Sequence, residues 1–205
     1  MGLTQIDLRH EVIDHMSLNI EKQLGNGLQF QEAFEIEMRK WAPELRSSFS
    51  LWLGIANVGP KIMIDKCARI TKELYLKSGI AALLTTLIFY FLRPFWNNDT
   101  GIFIIKDGLG VLLLAGVLFL VYGFYQNYRL GLKSSYSFLF KLSSSGYFLF
   151  TVIMNPFAMA TLYGTEHEAF NFTGLFFSLF ALSFGYFTYE LFQKHKLQAK
   201  RYANG

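Results

Sequence analysis

Four stretches of this chain are so apolar and so long that they decide its architecture before any other feature does. They run over approximately 76–92, 108–125, 146–163 and 172–192. Each is close to the about 20 residues that a helix needs to cross roughly 30 Å of hydrocarbon. Lipid offers no partner to an open backbone N–H or C=O, so each stretch is expected to be helical. The expected fold class is therefore all-α: an integral membrane protein with four transmembrane helices and a small N-terminal cytoplasmic helical domain.

Charge divides the chain at the same place. Ten of the fifteen acidic residues fall within residues 1–78, and the other 127 residues share five. The expected organisation has four parts. Residues 1–60 form a cytoplasmic helical domain, a helical hairpin plus an apolar segment, and 61–78 a basic amphipathic juxtamembrane helix that could attract anionic headgroups or merely set orientation. Residues 76–193 hold the four-helix transmembrane region, and 194–205 a basic cytoplasmic tail. If the head is cytoplasmic, twelve Lys and Arg flank the spans on that side: Lys61, Lys66, Arg69, Lys72, Lys77, Arg129, Lys133, Lys141, Lys194, Lys196, Lys200 and Arg201. Only Arg93 and Lys106 lie opposite. By the positive-inside bias both termini are expected in the cytoplasm of a bacterial inner membrane, the chain being multi-pass. The net charge of +4 does not point to nucleic acid, because the cations flank apolar stretches and form no dense patch. Cys67, the one cysteine, has no disulfide partner in the chain.

Within the head, Ile6, Ile13, Met16, Ile20 and Leu24 recur at helical spacing, predicting a helix over 4–24 with those residues on its apolar face. Gly25-Asn26-Gly27 should end it. A second amphipathic helix follows with Phe30, Ala33, Phe34, Ile36 and Met38 apolar, until Pro43 interrupts it. The apolar run FSLWLGIANV, residues 49–58, is too short to span a bilayer. It is expected to complete the core of the head; the membrane surface is the other place it could lie.

Motifs that could carry chemistry are sparse. In His10-Glu11-Val12-Ile13-Asp14-His15 the histidines are five apart, whereas a zinc-protease helix needs them four apart to share a face. His10 and Asp14 have the right spacing but read as a solvated helix surface, and Glu166-His167-Glu168 as a turn. No metal or cofactor is expected, and no catalytic residue. The predicted spans carry no ionisable residue near their midpoints, which argues against an ion-driven transporter. Asn155-Pro156 in the third span predicts a packing kink. In the fourth, Gly174, Ser178, Ala181, Gly185 and Thr188 place small residues along one face, and Phe176, Phe177, Phe180, Phe184 and Phe187 fill much of the rest. Small residues let helix backbones approach closely. The pattern leaves open whether the neighbour belongs to this chain or to a second copy.

The head also resembles the HAAS-type helical domains of bacterial membrane regulators and the prefix domains of some bacterial permeases. The resemblance rests on Glu11, Asp14-His15 and Ile20-Glu21 in the first helix, the Gly25-Asn26-Gly27 turn, and Phe30-Gln31-Glu32-Ala33 opening the second. It implies a cytoplasmic protein-interaction module, linked in some relatives to PadR-type transcription regulators, and no catalytic residues. Glu11, Asp14, His15, Phe30 and Phe34 are then the candidates for contact with a partner. The expected function is a non-enzymatic, membrane-anchored regulator or sensor whose head binds a soluble regulator. The alternative is a small accessory subunit of a transport or export complex, its spans contacting a larger membrane protein.

Overall fold

The computed structural model describes residues 3–96, 98–151 and 172–203. Among them the chain is helical apart from connecting loops, one short ladder and one 3-10 turn. The helices are α1 (Ile6–Gly25), α2 (Phe30–Leu45), α3 (Lys61–Phe91), α4 (Arg93–Trp96), α5 (Asp99–Leu130), α6 (Ser135–Leu149) and α7 (Phe172–Ala203). β1 (Ser47–Ser48) pairs antiparallel with β2 (Gly59–Pro60), in the register Ser47↔Pro60 and Ser48↔Gly59. Among the described residues three helices are long and apolar enough to cross a membrane: Lys61–Phe91, Thr100–Leu130 and Phe172–Tyr202. Most of the expected third span, with Asn155 and Pro156, and the Glu166-His167-Glu168 turn lie outside the described residues.

The chain forms two compact units. The first, here the head, comprises Met1–Lys72, Leu132–Leu139 and His195–Gly205. It therefore recruits more than the expected residues 1–60. The basic helix at 61–78 is no separate element but the opening of α3, which runs unbroken into the first apolar stretch. Nor is the basic tail loose: α7 continues through it to Ala203, with His195 and Ala199 buried.

The α1–α2 hairpin is closed by a turn in which Asn26 and Gly27 donate back to Gln23 and Leu24 carbonyls, Gly27 taking the left-handed φ of +90°. That conformation is open to glycine at little steric cost. The buried faces differ from those expected. On α1 the buried residues are Asp7, Leu8, Val12 and Ile20, while Ile13 and Leu24 are exposed. On α2 only Ala33 and Glu37 are buried; Phe30, Phe34, Ile36 and Met38 stand open. The physical reason is that the hairpin closes on a polar centre. Glu37, 2% exposed, accepts from Asn19 Nδ2 and Gln23 Nε2, both at 3.1 Å, and from Lys40 Nζ at 3.5 Å. A carboxylate so placed draws its own strip of α2 towards its donors, and the phenylalanines flank that strip instead of forming its centre. Residues 49–58 do not complete a core either. Leu53 alone is buried there, and Phe49, Leu51, Trp52, Ile55 and Val58 are exposed.

The second unit comprises Glu73–Gly131 and Phe140–Lys194. Its organising side chain is Tyr147 of α6, which is buried and donates its hydroxyl to the Leu113 carbonyl at 3.3 Å. The ring lies against two glycines. A Cβ built on Gly185 of α7 would sit 2.8 Å from Tyr147 Cε2, and one on Gly116 of α5 would collide with the Tyr147 hydroxyl. Gly123, two turns beyond Gly116, makes similar room for Phe140, whose Cζ would be 2.9 Å from a Cβ there. Glycine is thus required where an aromatic ring from α6 presses onto a helix backbone. Gly174, Ser178, Ala181, Gly185 and Thr188 are all buried, and at Gly185 the neighbour belongs to the same chain. Phe184 is buried as well, tilted against Tyr75 and stacked on Phe180, so it belongs to the packed face.

Because the Gly185 contact is with a buried ring held by a hydrogen bond, enlarging it must displace Tyr147. Gly185→Leu is expected to destabilise the full-length protein in detergent by at least the about 1–3 kcal/mol typical of overpacking. Tyr186→Leu, at the exposed neighbouring position, should change the melting temperature little. Equal losses from the two substitutions would remove the special role of the glycine.

Candidate functional site

The head is tied together by Asp7. This residue opens α1 yet is buried, and its Oδ1 accepts the backbone N–H of Ser135 at 2.9 Å, across 128 residues of sequence. Ser135 is the first residue of α6, whose opening N–H groups have no partner within the helix. A carboxylate at that end also meets the positive pole of the helix dipole. The neighbouring backbone is drawn in too, Ile6 N–H donating to the Lys133 carbonyl at 2.9 Å. On its other side Asp7 Oδ2 lies 3.6 Å from Lys66 Nζ of α3, and Lys66 donates to Glu11 Oε2 at 2.9 Å. One side chain therefore joins α1, α3 and α6.

The charge of Lys66 is maintained against its surroundings. Burial lowers its affinity for the proton, but the hydrogen bond to Glu11 and the negative charges of Glu11 and Asp7 outweigh that, and its pKa is raised above 10.5. A raised folded-state value stabilises the fold fully below the unfolded pKa, and the contribution fades as pH climbs through the folded one. Cys67, next in sequence, is fully buried. Burial pushes its thiol up to about 12, and the charge of Asp7 adds to the effect. Such a thiol is protonated at neutral pH and shielded from reagents.

A second cap completes the start of α6. Ser134 Oγ accepts the Ser137 N–H at 3.0 Å, the N-cap to N3 bond, and also meets His195 Nδ1 of α7 at 2.9 Å. A serine at hydrogen-bond distance from a histidine has the spacing of a nucleophile and its base. Here, however, Ser134 is 1% and His195 0% exposed, and the serine oxygen already serves the helix end. The geometry is that of a cap joining α6 to α7. His10 of α1 adds a further tie to α7, its ring stacked 4.8 Å from Tyr202. Among the described residues no three His, Cys, Asp or Glu side chains gather where a metal ion could be held.

The residues singled out from the sequence are thus dispersed. Glu11 is engaged with Lys66. Asp14 and His15 are exposed on α1, the His15 ring 6.5 Å from that of Trp41. Phe30 and Phe34 are exposed on α2 and stack on each other at 6.0 Å. With Met38 they form an open stripe at i, i+4 and i+8 along one face. Asp7, Lys66, Ser134 and His195 escape a reading of the sequence. Only Ser134 carries a local signal, a serine ahead of an apolar helix with a further serine three residues on.

No family model, curated protein or solved structure matches the chain. The resemblance of the hairpin to HAAS-type domains accordingly stands on the residues quoted for it.

Ser134→Ala removes an N-cap and the bond to His195 together. It is expected to cost about 1–3 kcal/mol of stability in full-length protein, measured by thermal or urea unfolding in detergent. Ser134→Thr, which keeps the oxygen, should recover most of it. An alanine variant as stable as the parent would show that the Ser134 cap adds nothing to the one Asp7 supplies.

Proposed function

We propose that this chain is a membrane-anchored regulatory or sensor protein whose N-terminal hairpin binds a protein partner at the cytoplasmic face. The observation that carries this reading is the open stripe of Phe30, Phe34 and Met38 on α2. Isolated exposed apolar residues are ordinary on a protein surface, but a contiguous set with a polar surround marks an interaction site. Phe30 is 60% exposed, and its stacking on Phe34 presents two rings as one platform. Gln31, Glu35 and Arg39 border the stripe and bond one another: Gln31 Nε2 donates to Glu35 Oε1 at 3.1 Å, and Arg39 approaches the same carboxylate at 3.9 Å. An apolar centre inside a polar rim is the common anatomy of a transient protein interface.

The membrane region supplies the anchor, with the charge asymmetry favouring a cytoplasmic head and tail in a bacterial inner membrane. Asp14 and His15, free to face solvent on α1, supply polar contacts to the same partner. Asp7, Ser134 and His195, which help to hold the head together, are buried and lie outside α2, which lets a partner dock on the stripe without contacting them.

The test needs point changes, because deleting residues 1–50 also removes Asp7 and with it one of the two caps on α6. Full-length protein carrying Phe30→Ser and Phe34→Ser should keep the parental melting temperature yet lose, on purification from native membranes, a soluble protein that the parent retains. If the variant recovers the same partners, or the only partner of the parent is a larger membrane protein, the docking reading fails. An accessory subunit of a transport or export complex then becomes the better account.

A further inference from the structure

The loop between β1 and β2 has the composition of a core and the exposure of a surface. Residues 49–58 contain no charged side chain. Leu51 is 79% and Ile55 71% exposed, with Phe49, Trp52 and Val58 each at least half exposed. The loop is nevertheless built. Its base is fixed by the ladder at Ser47↔Pro60 and Ser48↔Gly59 and by Lys61 N–H donating to the Arg46 carbonyl at 2.8 Å. Its interior is a 3-10 turn, Leu51–Leu53, in which Leu53 N–H donates to the Ser50 carbonyl at 3.1 Å. Gly54 then reverses the chain with φ +83°, and Asn57 closes the reversal by donating from Nδ2 to the Leu53 carbonyl. Leu53 turns inward as the plug, and the other apolar side chains are held out.

Where they are held out is fixed by Trp52. Lys72 of α3 places its Nζ 5.5 Å from the centre of the Trp52 ring, a cation–π distance. Although the loop is joined to α3 at Lys61, it folds back along that helix as far as Lys72. Lys72 is one turn before the apolar stretch that opens at Leu76, about 6 Å along the axis at 1.5 Å per residue. An indole beside a lysine at that level is the usual furniture of a bilayer–water interface, where the ring takes the headgroup layer and the cation the phosphates.

We propose that residues 49–58 are a second, non-spanning attachment to the membrane. Leu51, Trp52 and Ile55 dip into the headgroup region of an anionic bilayer beside the entry of α3. The occupant of this surface is lipid, because the loop lies at the level where its own helix enters the bilayer. The inference rests on α3 crossing the membrane from near Leu76 and is independent of whether the Phe30–Phe34 face docks a protein.

The test uses the full-length chain in phosphatidylcholine–phosphatidylglycerol vesicles, with an environment-sensitive NBD fluorophore on Ile55→Cys. Cys67 is buried and does not compete for the label. The expected result is blue-shifted emission, quenched by lipids brominated along the acyl chain and insensitive to aqueous iodide. The same fluorophore on Gln31→Cys, exposed on α2, should show the opposite pattern. Val58→Cys serves as a second position should Ile55→Cys fold poorly. Iodide quenching at both loop positions, without quenching by brominated lipid, would overturn the proposal and leave the loop open for a protein.

Discussion

The joining of α1 to α3 and α6 depends on one carboxylate being buried where a helix begins. Asp7 is held from water by its place in the structure, and in return it satisfies a backbone N–H of α6 and pairs with Lys66. A buried charge without such partners would cost several kcal/mol, so the arrangement is self-selecting. The first turn of the chain cannot sit there unless α3 and α6 are already in position. This explains why a hairpin of two short helices, too small to be stable by its own apolar core, can keep its phenylalanines on the outside. Its order comes from polar ties, Glu37 within the hairpin and Asp7 and Lys66 to α3 and α6, and from the stacking of His10 on Tyr202 of α7.

The second unit, proposed to be the membrane region, would follow a different physics. Lipid is as apolar as leucine, so burial of apolar area gives helices no reason to associate, and close packing must supply it. The second unit meets this by setting the bulky rings of Tyr147 and Phe140 on α6 against Gly116, Gly123 and Gly185 on α5 and α7. Of the three long apolar helices, α7 is the most enclosed, with 39% of its most apolar window buried against 17% for α3 and α5. That is the helix with the regular file of small residues.

The small-residue file was legible because backbone approach is written directly into sequence as a spacing. The buried face of α7 runs on beyond the small residues, since Phe192, His195 and Ala199 continue the same alternation of four and three. Lys194 and Lys196 hide this continuation by making the region look like a free basic tail. The apolar helices likewise stood out, because length and composition alone define them. The head did not yield so well. Choosing the inward face of α1 and α2 by apolar content selects Ile13, Leu24, Phe30 and Phe34, whereas the hairpin closes around Glu37, a residue that every hydrophobicity rule sends to the surface. Asp7 looked like any acid in the first turn of a helix. Its burial depends on Ser135, and no local pattern connects positions so far apart. The run 49–58 misled for the converse reason: ten uncharged residues suggest a core, and only the ladder at their base and the position of Trp52 reveal an outward loop.

The central claim, that Asp7 keeps the head closed, can be read at the buried thiol beside its partner lysine. Alkylation of Cys67 by a maleimide in full-length protein should be slow in the parent and faster by far in Asp7→Ala, because reagent reaches the thiol only when the head opens. Losing the charge of Asp7 also makes the thiol more acidic, so Asp7→Asn, which removes the charge and keeps an acceptor for Ser135 N–H, is the necessary comparison. Alanine is expected to accelerate labelling well beyond asparagine. Rates that are equal in the two variants, or unchanged from the parent, would contradict the claim.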